Sequence, residues 1–130
     1  MIRIGTAPYL ECSSKGEREL SAFYARIRKY DYKSIEEIYQ AAKIFEDGST
    51  GLSWREAKGK QAINMQEVKE LYSRLWDEYI DENPELIDVI KKYNGFSDKY
   101  GQSGHQCQAI EIYRIRQNIY IEEATEAMME

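Results

Sequence analysis

The strongest constraint on how this chain folds is a long amphipathic pattern in its middle. Apolar side chains between residues 66 and 82 recur at spacings of three and four, namely Val68, Leu71, Tyr72, Leu75, Trp76, Tyr79 and Ile80. An α-helix turns once in about 3.6 residues, so this spacing places them all on one face. Because such a stripe has to be buried, we predict a helix over residues 66–82 that packs against the core.

A second amphipathic pattern begins at Ser34. Ser34 and Glu37 match the capping box S-x-x-E, in which each side chain accepts a hydrogen bond from a backbone N–H group that the first helical turn leaves free. The apolar positions that follow at helical spacing are Ile35, Ile38, Tyr39, Ala42 and Phe45. We predict a helix that opens at Ser34 and ends before Gly48 and Gly51.

The N-terminal residues predict short strands. Ile2 and Ile4 fit a strand in the first ten residues, and residues 11–19 are polar and fit a loop. Residues 20–27 are rich in aromatic and β-favouring side chains, which predicts a second strand. With the two helices, these patterns predict an α+β fold that is mostly helical and has a few short N-terminal strands.

Two further helix starts stand in the second half of the chain. Ser53 resembles the cap of a short helix that begins at Trp54. Asn83 and Pro84 fit the cap and first turn of the next helix, since proline is favoured at the first helical position. Both tryptophans, Trp54 and Trp76, therefore lie at helix positions and are expected in the core, with Trp54 also a candidate for a pocket rim.

The C-terminal part predicts a loop and one more ordered element. Residues 94–104 contain glycine and predict a loop, whereas residues 106–118 fit either a strand or a helix, of which we favour the helix. From residue 122 onward the chain is acidic, and we expect it to fray. We therefore expect one domain over residues 1–121 and an acidic tail over residues 122–130.

Composition narrows the classes of function. The chain has 130 residues, 42% of them hydrophobic, and a net charge of −5, which is typical of one globular domain. Proteins that hold a nucleic-acid backbone usually present a basic face. The one basic run, at Arg26, Arg28, Lys29 and Lys33, is flanked by acids. We expect at most a transient contact with nucleic acid.

Cysteine and histidine usage predicts that the chain binds no metal. Cys12 and Cys107 lie far apart, and with the single histidine His105 they fit no metal-ligand spacing. No N-terminal stretch resembles a signal peptide, and no apolar run approaches membrane-spanning length. We expect a cytoplasmic protein with reduced thiols, no metal, no cofactor and no membrane contact.

The helix that opens at Ser34 also carries a polar stripe. Glu36, Gln40 and Lys43 stand at positions i, i+4 and i+7 and so share one face. Glu36 lies in the first turn, where the helix dipole favours the carboxylate, and we expect it to be ionised at neutral pH. Such a group can activate water or stabilise an oxocarbenium ion, as glycoside hydrolysis requires. A plain solvated face is the alternative interpretation.

The segments around this stripe resemble the NADAR (YbiA-like) family. Residues 34–45, S-I-E-E-I-Y-Q-A-A-K-I-F, are similar to the family helix S-x-E-H-x-x-Q-A-x-K-F. Upstream, residues 19–24 resemble its L-S-N-F segment, and residues 12–15 stand where the family often has an aromatic residue followed by Ser and Lys. Downstream, four segments resemble its A-x-x-x-G-R, N-P-x-L, D-x-x-W-G and closing L-M-x-x-R segments in the same order, at residues 56–60, 68–86, 98–101 and 112–116.

The resemblance implies a compact, mostly helical fold and an activity on ADP-ribose-type or N-ribosyl compounds. Some family members are glycosidases on a riboflavin-pathway intermediate, and some remove ADP-ribose from guanine in DNA. Glu36 is the implied catalytic group, and Lys43, which matches the family's helix lysine, is implied in the catalytic set and would hold phosphate or ribose oxygens, as Lys15 would. The implied ligand-binding residues are Ser13, Ser14, Lys15, Phe23, Tyr39, Gln40, Tyr100, Gly101 and Gln106. No metal or redox cofactor is implied.

Departures from the family pattern surround the implied ligand. Glu37 stands in place of a histidine, Tyr100 in place of a tryptophan and Ala22 in place of an asparagine, and the loop after residue 101 is shorter. These changes leave open a protein that sequesters an ADP-ribose-derived nucleotide without cleaving it, as a phage or defence factor would. An interaction module that uses a tyrosine-rich surface is a third interpretation.

The loop after residue 100 holds three weaker candidates. Residues 101–104 could cradle a phosphate through backbone N–H groups, although a plain loop is the simpler interpretation. His105 could act as a base or be structural. Cys107 has only His105 nearby, a spacing that does not build a nucleophilic triad.

Overall fold

The long stripe in the middle of the chain forms a helix, as predicted. The computed structural model describes residues 1–101 and 107–129, and the helices among them are α1 (Ile35–Ala41), α2 (Met65–Glu82), α3 (Leu86–Lys91) and α4 (Gln108–Met129), with short 3₁₀ turns at Arg18–Leu20 and Arg28–Tyr30. Every member of the α2 stripe is buried except Leu71, which is half-buried. No described helix combines the length and the apolar run needed to cross a bilayer.

The strands are short, and four of the five lie near the N-terminus, as predicted. They are β1 (Ile2–Gly5), β2 (Tyr9–Glu11), β3 (Arg26–Ile27), β4 (Lys33–Ser34) and β5 (Gly95–Asp98). β5 is the middle strand of a three-stranded sheet, antiparallel to β1 and parallel to β2. β3 and β4 form a separate antiparallel pair. The fold class is therefore α+β and mostly helical, which confirms the prediction.

The elements are distributed over two compact units. The sheet unit consists of Met1–Ser21 with Asn83–Glu130, and the helical unit consists of Ala22–Glu82. In the sheet unit, α4 packs on β1 and β5. In the helical unit, α2 packs on α1 and β3. Each unit thus contains one long helix, α4 in the sheet unit and α2 in the helical unit.

A ladder of aromatic rings forms the core of the helical unit. Trp76 is fully buried, and its ring meets the rings of Tyr72 and Tyr79 edge to face at 6.5 and 5.7 Å between centroids. Tyr72 in turn meets Tyr39 of α1 at 4.9 Å. Edge-to-face pairs at these distances add to the free energy of burial. The ladder therefore fixes α1 against α2.

The prediction of a loop over residues 94–104 was wrong for its first part, because that part contains β5. Phe96 is the only large apolar residue of this strand, so no alternating pattern marks it. Its polar neighbours are buried because they have partners: Ser97 donates to Glu11, and Asp98 accepts from Gln108. At Gly95 an added Cβ would lie 2.6 Å from a backbone oxygen, so only glycine fits there.

The strand predicted over residues 20–27 was too long, because only Arg26–Ile27 pairs as a strand. The carbonyl groups of Ala22 and Ala25 instead accept hydrogen bonds from the first turn of α1. Ser53 begins a run of turns over residues 54–59 in place of the predicted short helix.

The predicted helix near the C-terminus exists, but its end was misplaced. α4 runs to Met129, whereas we expected an ordered element to residue 118 and fraying from residue 122. Adding a residue to an existing helix costs far less than starting one, and Glu, Ala and Met are good helix formers. Lys91 of α3 also pairs with Glu123 at 2.6 Å, which supports this last part of the helix.

Candidate functional site

A cleft of about 460 Å³ lies beside α1 in the helical unit. Its walls include three of the predicted site residues, Phe23, Glu36 and Gln40. A further stretch of lining comes from residues 51–54 and Glu56. The volume falls in the range of small-molecule sites, about 300–1,000 Å³. We call this feature the α1 cleft.

The start of α1 places Glu36 in the cleft wall. The predicted capping box is present, since Ser34 Oγ accepts from the backbone N–H of Glu37 at 3.1 Å and the Glu37 carboxylate accepts from the backbone N–H of Ser34. The next donors are also satisfied, because the Ile35 and Glu36 N–H groups donate to backbone carbonyls upstream. These hydrogen bonds fix the first turn of α1 and, with it, the position of Glu36 in the cleft wall.

The environment of Glu36 raises its pKa, whereas we predicted a position that favours the carboxylate. Burial raises the pKa of Glu36, while a hydrogen bond from Gln40 Nε2 at 2.8 Å and the charge of Lys43 lower it, and burial prevails. The helix dipole was expected to favour the ionised form, whereas desolvation by burial favours the neutral form. A carboxyl group with a raised pKa binds and releases protons nearer neutral pH, as a catalytic acid or base requires.

Lys43 lies near the Glu36 carboxyl group. We predicted it on the helix, but it follows the end of α1. α1 ends at Ala41 because the Asn64 side chain donates to the Ala42 carbonyl and accepts from the Ile44 N–H. The Lys43 ammonium group sits 4.6 Å from the centroid of the Tyr39 ring. Burial lowers the pKa of Lys43, and the charge of Glu36 opposes that shift.

Two cleft residues were missed or misassigned from the sequence. Trp54 was expected mainly in the core, but its side chain is 49% exposed and lines the cleft. Glu56 also lines the cleft, although it was not among the predicted site residues. With Ser53 it repeats the S-x-x-E pattern, and the two residues exchange the two hydrogen bonds of a capping box at 3.3 and 3.4 Å. The pattern itself was therefore the signal that could have found this wall.

The raised pKa of Glu36 gives a stability prediction. The folded state holds the Glu36 proton more tightly than the unfolded chain does, so the free energy of unfolding falls as pH rises from about 4.5 through the folded-state pKa. Gln can still accept the bond from Gln40 but carries no charge. We expect Glu36→Gln to match the native chain near pH 4 and to exceed its melting temperature at pH 7.

Melting temperatures at the two pH values, measured by calorimetry, check this. Glu46→Gln is the matched control because Glu46 is exposed and lies outside the lining of the α1 cleft. That variant should follow the native chain at both pH values. A Glu36→Gln variant that melts below the native chain at pH 7 would contradict the burial argument.

The remaining described site residues belong to the sheet unit, where Glu11 connects them. Its carboxylate accepts from Ser13 N, Ser97 Oγ and Lys99 N at 2.8–3.0 Å. Burial alone would raise the pKa of Glu11, but these hydrogen bonds together outweigh it and lower the pKa. Glu11 thereby ties the turn after β2 to the end of β5, a role that nothing in the local sequence signals.

The turn after β2 contains the three predicted residues Ser13, Ser14 and Lys15. Ser13 is fully buried and its Oγ accepts from Lys15 N at 3.2 Å, so its observed role is to hold the turn. Ser14 is half-buried and Lys15 is exposed. Of the three, Lys15 is the residue that presents its side chain to solvent.

The predicted residues after β5 are Tyr100, Gly101 and Gln106. Tyr100 is 57% exposed, and its backbone N–H donates to the Asp98 carboxylate. Gly101 is buried, and a Cβ there would press on Ile2 and Cys107 at 3.1 Å. Gln106, His105 and the end of the candidate phosphate loop, residues 102–104, lie outside the described residues.

The two cysteines are buried free thiols in the sheet unit. Cys107 Sγ donates to Asp98 at 3.3 Å, and burial together with that carboxylate raises the pKa of Cys107 to about 11. Burial raises the pKa of Cys12 further. Thiols held protonated in this way are poor nucleophiles. Within residues 1–101 and 107–129, His, Cys, Asp and Glu form no group of three that could hold a metal ion.

The groups of the α1 cleft define the chemistry it can support. It offers one carboxyl group with a raised pKa, an amide bonded to that carboxyl and two exposed aromatic rings, from Phe23 and Trp54. These groups suit a small ligand that has a flat ring and hydroxyl groups. No family model matches the chain, and no curated protein matches it.

Proposed function

We propose that the chain is an N-glycosidase of the NADAR kind, which hydrolyses the bond between a ribosyl or ADP-ribosyl group and a nitrogen base. The observation that carries the proposal is the placement of Glu36 in the wall of a ligand-sized cleft, with a raised pKa and a fixed hydrogen bond from Gln40. Glu36 would activate water or stabilise the cation that develops at C1′ of the ribose.

The neighbouring residues would support this step. Phe23 and Trp54 would stack against the base, as exposed rings in a cleft commonly do. Lys43 would act through Glu36, because its positive charge opposes the effect of burial on that carboxyl group. Gln40 would hold the Glu36 carboxylate in one orientation. Lys15 and Tyr100 are exposed residues of the sheet unit, and their ligand-binding roles stay predictions from the sequence.

Product analysis tests the proposal. Purified protein is incubated with ADP-ribosylated guanosine and with a set of N-ribosides, and the free base is separated by chromatography and quantified. We expect free base to appear with at least one substrate and to increase in proportion to the enzyme concentration. A ligand that raises the melting temperature but yields no base from the native protein would contradict hydrolysis and favour a sequestering protein.

A further inference from the structure

The charges of the α1 cleft favour a positively charged ligand. The ionisable side chains among its described lining residues are all acidic, namely Glu36, Glu37 and Glu56. Two nearby cations are held on aromatic rings: Lys43 on Tyr39 and Arg55 on Trp54, at 4.6 and 5.5 Å from the ring centroids. The lining itself thus combines carboxyl groups with aromatic faces.

The aromatic residues of the same cleft fit a cationic ring. Phe23 and Trp54 are 47% and 49% exposed, so each presents much of its ring surface. The face of an aromatic ring attracts a cation, and a tryptophan face does so most strongly. The guanidinium group of Arg55, 5.5 Å from the centre of the Trp54 ring, is an example within the chain itself.

Gln40 adds a second, independent feature. Its side-chain oxygen is buried and accepts no hydrogen bond from a described residue, while its nitrogen donates to Glu36. An unpaired buried acceptor costs free energy that an N–H donor would recover. A ligand with an amide or amino group on its ring supplies such a donor.

From these observations we infer that the base held in the α1 cleft is a cationic N-heteroaromatic ring attached to ribose, such as a pyridinium or an N7-alkylated purine. This inference rests on the proposed function and names its substrate class. On hydrolysis, the electrons of the C1′–N bond return to the ring and neutralise its charge. Water adds to C1′ and gives its proton to Glu36. The leaving base needs no proton, so no second carboxyl group is required as an acid.

Binding of a charged and an uncharged form of one ring tests the inference without any turnover. 1-Methylnicotinamide and nicotinamide share a ring and an amide, differ in charge, and contain no glycosidic bond. Their affinities for the native chain are measured by calorimetry. A cation–π contact and the attraction between opposite charges favour only the charged compound. We therefore expect 1-methylnicotinamide to bind about tenfold more tightly than nicotinamide.

A variant that removes two negative charges tests whether the carboxylates of the cleft cause the preference for the cation. In Glu37→Gln/Glu56→Gln each new amide oxygen can still accept the capping hydrogen bond, so the walls are retained while two charges are lost. The preference for the cation should fall several-fold in this variant and stay unchanged in Glu46→Gln. Equal affinities in the native chain, tighter binding of nicotinamide, or no binding of either compound would overturn the inference.

Turnover of nicotinamide riboside separates this inference from the proposed function. Selective binding of 1-methylnicotinamide with no release of nicotinamide from the riboside would support the charge preference and contradict hydrolysis. Release of base from uncharged ribosides by a chain that shows no cation preference would support hydrolysis and overturn the inference.

Discussion

Replacing Glu36 by Gln should lower kcat/KM for release of the base by about 10²–10⁴-fold, the usual contribution of a positioned acid or base. The variant keeps an acceptor for Gln40 and the capped start of α1, because both capping bonds are made by Ser34 and Glu37. Only the ability to take a proton and the negative charge are lost. Initial rates of base release for the two proteins measure the effect.

The pH profile of the same reaction carries a second signature of Glu36. As the group that takes a proton from water, it must be ionised, so the rate should rise with pH through its pKa. Burial raises that pKa, and the midpoint of the acidic limb should therefore lie above 4.5, the ordinary value of a glutamate. A Glu36→Gln variant with the native rate, or a native profile without an acidic limb, would contradict the assignment.

Replacing Trp76 by Ala should reduce the free energy of unfolding by about 3–5 kcal/mol, as expected for loss of a buried aromatic side chain. Trp76 is fully buried, and its ring contacts Tyr72 and Tyr79. Removing it leaves a cavity at the centre of the ladder that holds α1 against α2. Denaturant unfolding, followed by circular dichroism, measures the change.

The second tryptophan is the matched control for this effect. Trp54 is 49% exposed, so Trp54→Ala should change the free energy of unfolding by only about 0.5 kcal/mol. Trp76→Phe should cost less than Trp76→Ala, since it keeps a ring and removes an indole N–H that donates to no described residue. Similar losses in Trp76→Ala and Trp54→Ala would show that the ladder does not stabilise the unit.

The helices could be predicted from the sequence because their signals are local. The stripe of α2 runs from Val68 to Ile80, and the capping box fixes the start of α1 through two residues three positions apart. Glu36 and Gln40 were found for the same reason, since i and i+4 neighbours on a helix must meet. Local periodicity thus located one wall of the α1 cleft.

The features that the sequence did not predict depend on partners far along the chain. β5 is a strand because β1 and β2 pair with its two edges and because the Glu11 carboxylate accepts a hydrogen bond from the hydroxyl group of Ser97. α1 stops at Ala41 because Asn64, more than twenty residues later, caps its end. The raised pKa of Glu36 likewise follows from burial, which the position of a residue in a helical turn does not reveal.

The most direct test of the central claim, that Glu36 in the α1 cleft drives cleavage of an N-ribosyl bond, is a single-turnover measurement. The protein is mixed in excess with nicotinamide riboside or ADP-ribosylated guanosine, and free base is followed over time in the native chain and in Glu36→Gln. We expect the native chain to convert one of these bound substrates completely to free base, and Glu36→Gln to hold that substrate intact over the same interval. Recovery of both bound substrates uncleaved from the native chain would contradict it.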